Sequence, residues 1–350
     1  MTDPLHVRDE PPGGLGYTPG MTALTERDLA PEAPAPDKPS LERSAYSDQV
    51  FKGLLTLAAA AIPVLLCFLV FELWSGARLA IGKFGLDFVT TSTWDPVAEQ
   101  FGAFPLIFGT LVSSIIALVI AVPLSLGVAI YLTEFAPKVV RQPVAFLISL
   151  LAAIPSVVYG LWGIFVLIPL LRKSVFPLLR DVFGFLPLFQ GPIYGPSMLA
   201  AGIILSIMVM PYVMSVSREV LMAVPNTQRE ASLALGATRW EAVVTTVVPY
   251  ARSGIIGAVI LGLGRALGET MAVTMLIGNR HEVAASLFAP GYTMAAAIAN
   301  EFSEAVGDMH LSALAYVAFL LFVVTVLVNA GARLLIWRVA RGSGAGSKAL

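Results

Sequence analysis

The chain has 350 residues, of which 57% are hydrophobic and 13% charged, and its formal net charge at pH 7 is −1. Soluble domains carry about a quarter charged residues, so this composition excludes an ordinary soluble domain. Nucleic-acid binding is also not expected, because no basic patch with interleaved aromatic residues is present. The single cysteine, Cys67, excludes a disulfide framework within the chain. The three histidines lack the spacing of metal ligands, and we predict no metal site and no cofactor.

The chain begins with a segment rich in proline and glycine, at residues 11–14 and 31–36. It contains no apolar core of a signal peptide, and it has too little apolar surface to fold. We therefore predict a disordered polar tail over 1–45. A transmembrane domain is predicted over 46–340, followed by a short tail over 341–350.

Uncharged, apolar stretches recur along the rest of the chain. Each holds about 20 apolar residues, the length that a membrane-spanning helix needs. Alternating strand patterns are absent, so backbone satisfaction in lipid requires helices. We predict an all-α polytopic membrane protein with six spans. The predicted spans are 53–75, 104–132, 143–171, 195–217, 254–278 and 311–336.

Lysine and arginine residues predict the orientation of these spans. With the N-terminus inside, the inner segments carry about twice as many of these residues as the outer loops, as the positive-inside rule requires. Both termini are therefore predicted to be cytoplasmic. The outer loops are expected at about 76–103, 172–194 and 279–310.

Two charged residues, Arg265 and Glu269, interrupt the fifth span, which is predicted to be one continuous helix. An ionised residue in lipid costs a few kcal/mol and rarely persists without a role. Arg265 is expected about 16 Å into the helix, near the middle of the bilayer. The spacing of four places both residues on one helix face. Two interpretations stay open: a structural ion pair that locks two helices, or a path in which Arg265 contacts an anion and Glu269 prevents tight trapping.

The inner loop between the fourth and fifth spans predicts a helical hairpin over 226–249. Two tetrapeptides, 227–230 and 238–241, fit capping boxes, each with a threonine and a glutamate three residues later. Gly236 lies between them, where a helix would end in a left-handed residue. The second helix is expected to end at Pro249. A hairpin at a membrane face is suited to docking into a groove of another protein.

This loop resembles the signature loop of bacterial ABC importer permeases, whose pattern is E-A-A, three residues, G, nine residues, I-x-L-P. The matching residues are Glu230-Ala231-Ser232, Gly236 and residues 246–249. Ser232, Thr246 and Val248 depart mildly from the pattern. The resemblance implies that the loop inserts into a separate ATPase subunit, with Glu230, Ala231 and Gly236 as coupling residues. Glu230 would hold the hairpin and contact the ATPase, and Gly236 would allow the turn.

Residues 264–273, with the sequence GRALGETMAV, are similar to the phosphate ABC transporter permeases, more to their C-type subunit (PstC-type) than to its A-type partner. The resemblance covers about 50–335 and implies a type I ABC importer permease in the plasma or inner membrane. The chain would form half of a path for inorganic phosphate. It would assemble with a second homologous permease (PstA-type), an ATPase subunit dimer and a phosphate-binding protein outside the membrane. The chain has no G-x-x-x-x-G-K-[ST] motif, so it is not expected to be an enzyme.

Three alternative functions have less support from the sequence. A permease for another oxyanion, such as sulfate or molybdate, would share the coupling loop, and only the surroundings of Arg265 argue against it. A secondary anion transporter would need intramembrane carboxylates or broken helices in repeated halves, whereas Glu269 stands alone and no internal repeat is visible. A membrane-embedded enzyme has no catalytic constellation to support it.

Overall fold

The computed structural model describes residues 41–344, with side chains described over 48–334. The chain divides into two compact units, Met1–Pro63 and Val64–Leu350. The described part of the first unit is helical. Most of the predicted tail over 1–45 and the end of the predicted tail over 341–350 lie outside the described residues.

Helices make up most of the described chain, as predicted. The α-helices are α1 (Leu41–Gly76), α2 (Arg78–Phe84), α3 (Asp87–Thr90), α4 (Phe104–Ile130), α5 (Lys138–Ala153), α6 (Ser156–Trp162), α7 (Ile168–Leu170), α8 (Phe176–Phe183), α9 (Met198–Met222), α10 (Asn226–Ala234), α11 (Arg239–Ala242), α12 (Val248–Leu267), α13 (Met271–Ile277), α14 (Met294–Glu301) and α15 (Asp308–Gly344). Short π-helical segments connect several of them, at Tyr131–Phe135, Gly163–Leu167, Leu171–Val175 and Val243–Val247, and Pro187–Phe189 is a 3₁₀ turn.

Among the described residues, six helical runs are long and apolar enough to cross a membrane, which confirms the predicted number of spans. The runs are Asp48–Gly76, Phe104–Phe135, Ser156–Phe183, Met198–Met222, Arg239–Leu267 and Asp308–Leu334. Four of them overlap closely with the predicted spans. The third and the fifth differ.

The third span was wrongly predicted at 143–171. Helix α5 ends at Ala153, Ile154 and Pro155 are extended, and a new helix begins at Ser156. The proline ring disfavours helical backbone at the preceding residue, and here the helix ends at this point. The span therefore starts at Ser156 and continues to Phe183. Arg172, Lys173 and Arg180, expected in an outer loop, lie within this helical run.

The fifth span was also predicted wrongly as one helix over 254–278. Helix α12 ends at Leu267, and α13 begins only at Met271. Gly268 has left the helical conformation, with φ −96° and ψ 2°, and a glycine in a helix costs about 1 kcal/mol relative to alanine. The Thr270 hydroxyl donates to the Gly268 carbonyl at 3.3 Å, which satisfies part of the freed backbone. Glu269 therefore lies in a break between two helices.

Helix α9 is the most buried of the candidate spans and packs against α4 and α12. Glycines allow this close approach: a Cβ added at Gly202 would lie 2.5 Å from a methyl of Ile116 on α4. One added at Gly262 of α12 would lie 2.6 Å from a methyl of Val213 on α9. Small residues let membrane helices approach closely, and here they hold the arginine-bearing helix α12 against α9.

The segments between spans at one end of the second unit form a small layer of their own. Strands β1 (Trp94–Asp95) and β2 (Gln100–Phe101) pair antiparallel, with Trp94 opposite Phe101. Buried aromatic side chains join this layer to the spans, since Phe88 of α3 stacks on Tyr316 of α15 with ring centres 4.4 Å apart. The layer also contains α14 and the start of α15.

Candidate translocation and coupling sites

Arg265 lies in the last turn of α12, where a cation complements the negative end of the helix dipole. Its guanidinium carbon is 4.6 Å from the centre of the Tyr212 ring on α9, a cation–π contact. Its Nη2 is 3.8 Å from Oε2 of Glu269, which is an ion pair but too long for a hydrogen bond. The side chain of Arg265 is 34% exposed and that of Glu269 only 8%.

The guanidinium of Arg265 has N–H donors without hydrogen-bond acceptors in the described part of the chain. Its Nε is buried and has no hydrogen-bond partner among the described residues. A guanidinium carries five N–H donors in a planar fork, and a buried donor without an acceptor is costly. The predicted ion pair with Glu269 is present. The prediction that both residues lie on one face of a single helix is wrong, because Glu269 follows the end of α12. The arrangement can therefore accept an oxyanion without first breaking hydrogen bonds.

Two tyrosines near Arg265 were missed by sequence reasoning. The Tyr212 hydroxyl donates to the Ala152 carbonyl at 3.2 Å, and the Tyr159 hydroxyl donates to that of Leu151 at 2.9 Å. Both acceptors belong to the last turn of α5, and the Leu151 carbonyl also accepts from the Ile154 N–H at 3.3 Å. Tyr212 thus joins the arginine to the end of α5. Its position beside an intramembrane proline was the available signal.

The hairpin between α9 and α12 is present with two differences. Thr238 and Glu241 form the predicted capping box, and Gly236 has the predicted left-handed conformation with φ 90°. The box predicted at 227–230 is wrong, because Pro225 is the N-cap of α10 and no side chain caps that helix. The second arm does not end at Pro249. It continues from α11 through the π-helical segment into α12.

Arg229 anchors the hairpin, and sequence reasoning had counted it only as a positive charge. Its Nη2 and Nε donate to the two carboxylate oxygens of Glu134 at 2.9 and 3.2 Å. It also donates to the Leu221 and Val224 carbonyls at the end of α9 and to the Asn226 side chain. Glu134 follows α4, 95 residues away in sequence. In the sequence, Glu134 stands out because it is the one acidic residue between Glu99 and Asp181.

Glu230 and Ala231, the sequence-predicted coupling residues of α10, are exposed. Several apolar side chains of the hairpin are also exposed, Leu235 at 90% and Trp240 at 59%. The hairpin is thus fixed to the spans by Arg229 and presents a mixed polar and apolar outer surface. A second protein has access to this surface in the structure.

Comparison with known proteins agrees with this arrangement. Residues 121–341 match the family described as binding-protein-dependent transport system inner membrane component. The matched stretch includes both the hairpin and the fifth span. The chain belongs to this family. It is therefore a multi-pass inner-membrane component of a transport system and not itself an enzyme, as predicted.

Two relatives illustrate the similarity, and a solved structure supports the fold. The phosphate transport system permease protein PstC of Mesorhizobium japonicum is 45% identical over 310 residues, covering 87% of this chain and 95% of the relative. PstC of Xylella fastidiosa (strain 9a5c) is 46% identical over 306 residues, covering 86% and 94%. The crystal structure of a bacterial ABC transporter involved in import of the acidic polysaccharide alginate has a TM-score of 0.54 at 18% identity, over 81% of this chain and 97% of that one. The predicted family resemblance and the permease fold are confirmed.

In this family member, the hairpin and the arginine share one helical run. The run Arg239–Leu267 has 29 residues, or about 43 Å at the usual helical rise. Arg265 is near one end and the capping box near the other. A displacement of the hairpin would therefore be carried along a packed helix to the guanidinium, with no loop between them.

Proposed function

We propose that the chain is the transmembrane permease subunit of an ATP-driven phosphate importer, of the PstC type. The observation that carries the proposal is a guanidinium in a membrane-spanning run that has no hydrogen-bond acceptor among the described residues. The PstC relatives, 45% and 46% identical over most of the chain, support phosphate as the substrate. The planar fork of arginine matches the oxygens of a phosphate with paired donors.

Arg265 would contact the passing anion, and Glu269 would keep that contact brief. A site in a pathway must bind well enough to admit the ion and weakly enough to release it. The carboxylate 3.8 Å from the guanidinium reduces the local positive field without occupying its donors. The break after Leu267 frees backbone groups at this level, which is tolerated where the backbone lines a cavity or is buried in protein.

The energy would come from a separate ATPase subunit dimer, since the sequence has no phosphate-cradling Walker motif. The exposed residues Glu230 and Ala231, with the apolar side chains beside them, would dock into a groove of that partner. Gly236 permits the turn between the arms, because its φ of 90° is unfavourable for a residue with a Cβ. ATP binding and hydrolysis would move the hairpin and, with it, α12.

The remaining partners complete the assembly. A six-span chain supplies half of the path, so a second homologous permease of the PstA type would supply the other half. A phosphate-binding protein would deliver the anion to the outer loops. Both termini would be cytoplasmic, which places the hairpin on the side of the ATPase.

The test is ATP-dependent uptake of radiolabelled phosphate into vesicles that contain the complete reconstituted complex and its binding protein. Arg265→Gln is expected to abolish uptake while the complex still assembles, and Arg265→Lys, which keeps the charge but loses the fork, should recover only part of it. Unimpaired uptake by Arg265→Gln would refute the pathway role. Inhibition by excess sulfate or molybdate equal to that by unlabelled phosphate would refute the assignment of phosphate.

A further inference from the structure

A cleft of about 570 Å³ lies at the end of the second unit opposite the hairpin in the proposed topology. It is bounded by the β1–β2 turn, the end of α14 and the start of α15. We call it the outer cleft. Its lining includes three carboxylates, those of Glu99, Glu301 and Glu304, and the side chains of Val97 and Val306.

The floor of the outer cleft is the Glu301 carboxylate, which accepts one indole hydrogen bond and lies close to two imidazoles. The Trp94 indole N–H donates to Oε2 of Glu301 at 2.8 Å. Nε2 of His310 is 3.3 Å from the same oxygen, and Nε2 of His281 is 3.3 Å from Oε1. Burial raises the pKa of Glu301, but the interactions with His281 and the other donors outweigh it, and the pKa is lowered. The floor therefore keeps its negative charge at neutral pH.

The rim adds two exposed carboxylates and two exposed apolar side chains. Glu304 is exposed, and Val97 and Val306 are each 95% exposed. Glu99 has a left-handed backbone with φ 48°, a conformation that costs about 1 kcal/mol for a residue with a Cβ.

The positive groups facing the outer cleft do not cancel this charge. Lys83 donates to the Glu99 carboxylate at 3.3 Å and to its carbonyl at 3.1 Å. His281 and His310 also face Glu301 and are neutral unless protonated. Three carboxylates against one lysine leave the outer cleft negative, so a free oxyanion approaching it is repelled.

We propose that the outer cleft receives a lysine or arginine side chain of the substrate-binding protein when that protein docks. The proposal rests on the proposed function, since it names a contact of the delivering partner. The charged end would meet Glu304 and the floor carboxylate, while the aliphatic stem would cover Val97 and Val306. Complementary rim charges mainly accelerate and orient docking, so the outer cleft would guide the partner and not the anion.

The experiment uses the complete complex in nanodiscs with its phosphate-binding protein. The dissociation constant of that protein is measured for the double variant Glu99→Gln/Glu304→Gln, with Asp181→Asn on α8 as the control. Asp181 is exposed, on the same proposed side of the membrane, and outside the outer cleft. The double variant is expected to bind about tenfold more weakly, with a flatter salt dependence, and the control within about twofold of wild type. ATP hydrolysis at saturating binding protein should be unchanged.

A dissociation constant of the double variant equal to that of the control would overturn the proposal. Thermal unfolding of each variant excludes a general folding defect, and Glu99→Asn, which accepts the left-handed backbone more readily, provides a second removal of the carboxylate. Binding of the phosphate-binding protein to the wild-type complex and phosphate uptake are measured first. Failure there contradicts the proposed function, whereas normal wild-type behaviour with unaffected variants contradicts only the outer cleft.

Discussion

Two arginine–glutamate pairs in this permease have opposite construction. Arg229 and Glu134 join distant segments of the chain through short, bidentate hydrogen bonds, and both side chains are largely buried. Arg265 and Glu269 are four residues apart, yet their charged atoms are 3.8 Å apart and share no hydrogen bond. The first pair uses up its donors and acceptors. The second keeps a guanidinium in place while leaving its donors open.

The difference indicates which pair holds the fold and which handles a ligand. A buried pair with every donor satisfied loses several kcal/mol when one partner is removed, because the other charge stays buried without compensation. Removal of Arg265 breaks no hydrogen bond, but it takes the counter-charge from the buried Glu269 carboxylate and the cation–π contact from Tyr212, so its cost is smaller and not zero. A pathway residue needs the second construction, since an arginine already saturated by protein acceptors has no fork to offer to an anion.

The largest expected effect is on stability at the hairpin. Arg229→Gln should destabilise the protein by about 3 kcal/mol, because the Glu134 carboxylate and the carbonyls at the end of α9 lose their donor. Arg265→Gln is the matched variant in the membrane and should cost less, about 1–2 kcal/mol, because no hydrogen bond is lost, although the Glu269 carboxylate loses its counter-charge. Thermal unfolding of the two variants in the same detergent checks this. Equal losses would show that the two pairs are both structural.

The second expected effect is on the coupling of ATP hydrolysis to uptake, and it concerns the residue that follows Arg229 in the sequence. Glu230 is adjacent to Arg229 but exposed, so Glu230→Arg should leave unfolding unchanged. It should lower phosphate uptake per ATP hydrolysed about tenfold if the exposed face of α10 contacts the ATPase. Co-purification with the ATPase and the ratio of uptake to hydrolysis measure this. Normal coupling together with normal co-purification would contradict the role of Glu230.

The features predicted correctly from the sequence are those contained within one short segment of the chain. Apolar stretches and the Arg265–Glu269 spacing lie within single segments, so the number of spans, the positions of four of them and the charged pair were found without the fold. The Arg229–Glu134 pair could not be found in this way, because its members are 95 residues apart and meet only after α4, α9 and α10 have packed. The helix break after Leu267 was missed because hydrophobic residues continue across it and Gly268 is its only mark.

The misplaced third span has a different cause. Pro155 was visible in the sequence, and prolines do occur inside membrane helices, as Pro123 does inside α4 and Pro211 inside α9. Whether a proline kinks a helix or ends it depends on what satisfies the freed carbonyls. Here the Tyr212 hydroxyl satisfies the Ala152 carbonyl, and the Tyr159 hydroxyl together with the Ile154 N–H satisfies that of Leu151, so the helix can end. That information belongs to tertiary packing.

The third expected effect is on phosphate release and distinguishes the role of Glu269 from that of Arg265. Glu269→Gln removes the carboxylate while keeping its size, so Arg265 should hold phosphate longer. Both KM and kcat for uptake are then expected to fall, each by about threefold, because tighter binding in the path slows release. Steady-state uptake at varied concentrations of loaded binding protein measures both constants. A lower kcat with an unchanged KM would instead indicate that Glu269 only supports the helix break.

The smallest expected effect concerns Glu301, which lies outside the spans. Its carboxylate accepts a hydrogen bond from the Trp94 indole and lies 3.3 Å from a ring nitrogen of each of two histidines. Its pKa is lowered in the folded protein. The folded state therefore gains stability from this group at pH values above about 4.3, where an unfolded glutamate is ionised, and loses it as the pH falls through the lower folded value. Thermal unfolding of wild type and of Glu301→Gln, compared between pH 7 and pH 3.5, should show a difference that shrinks on acidification. A difference that is constant over this range would mean that the Trp94 and histidine contacts stabilise the protonated carboxyl equally well, and that the floor of the outer cleft does not depend on charge.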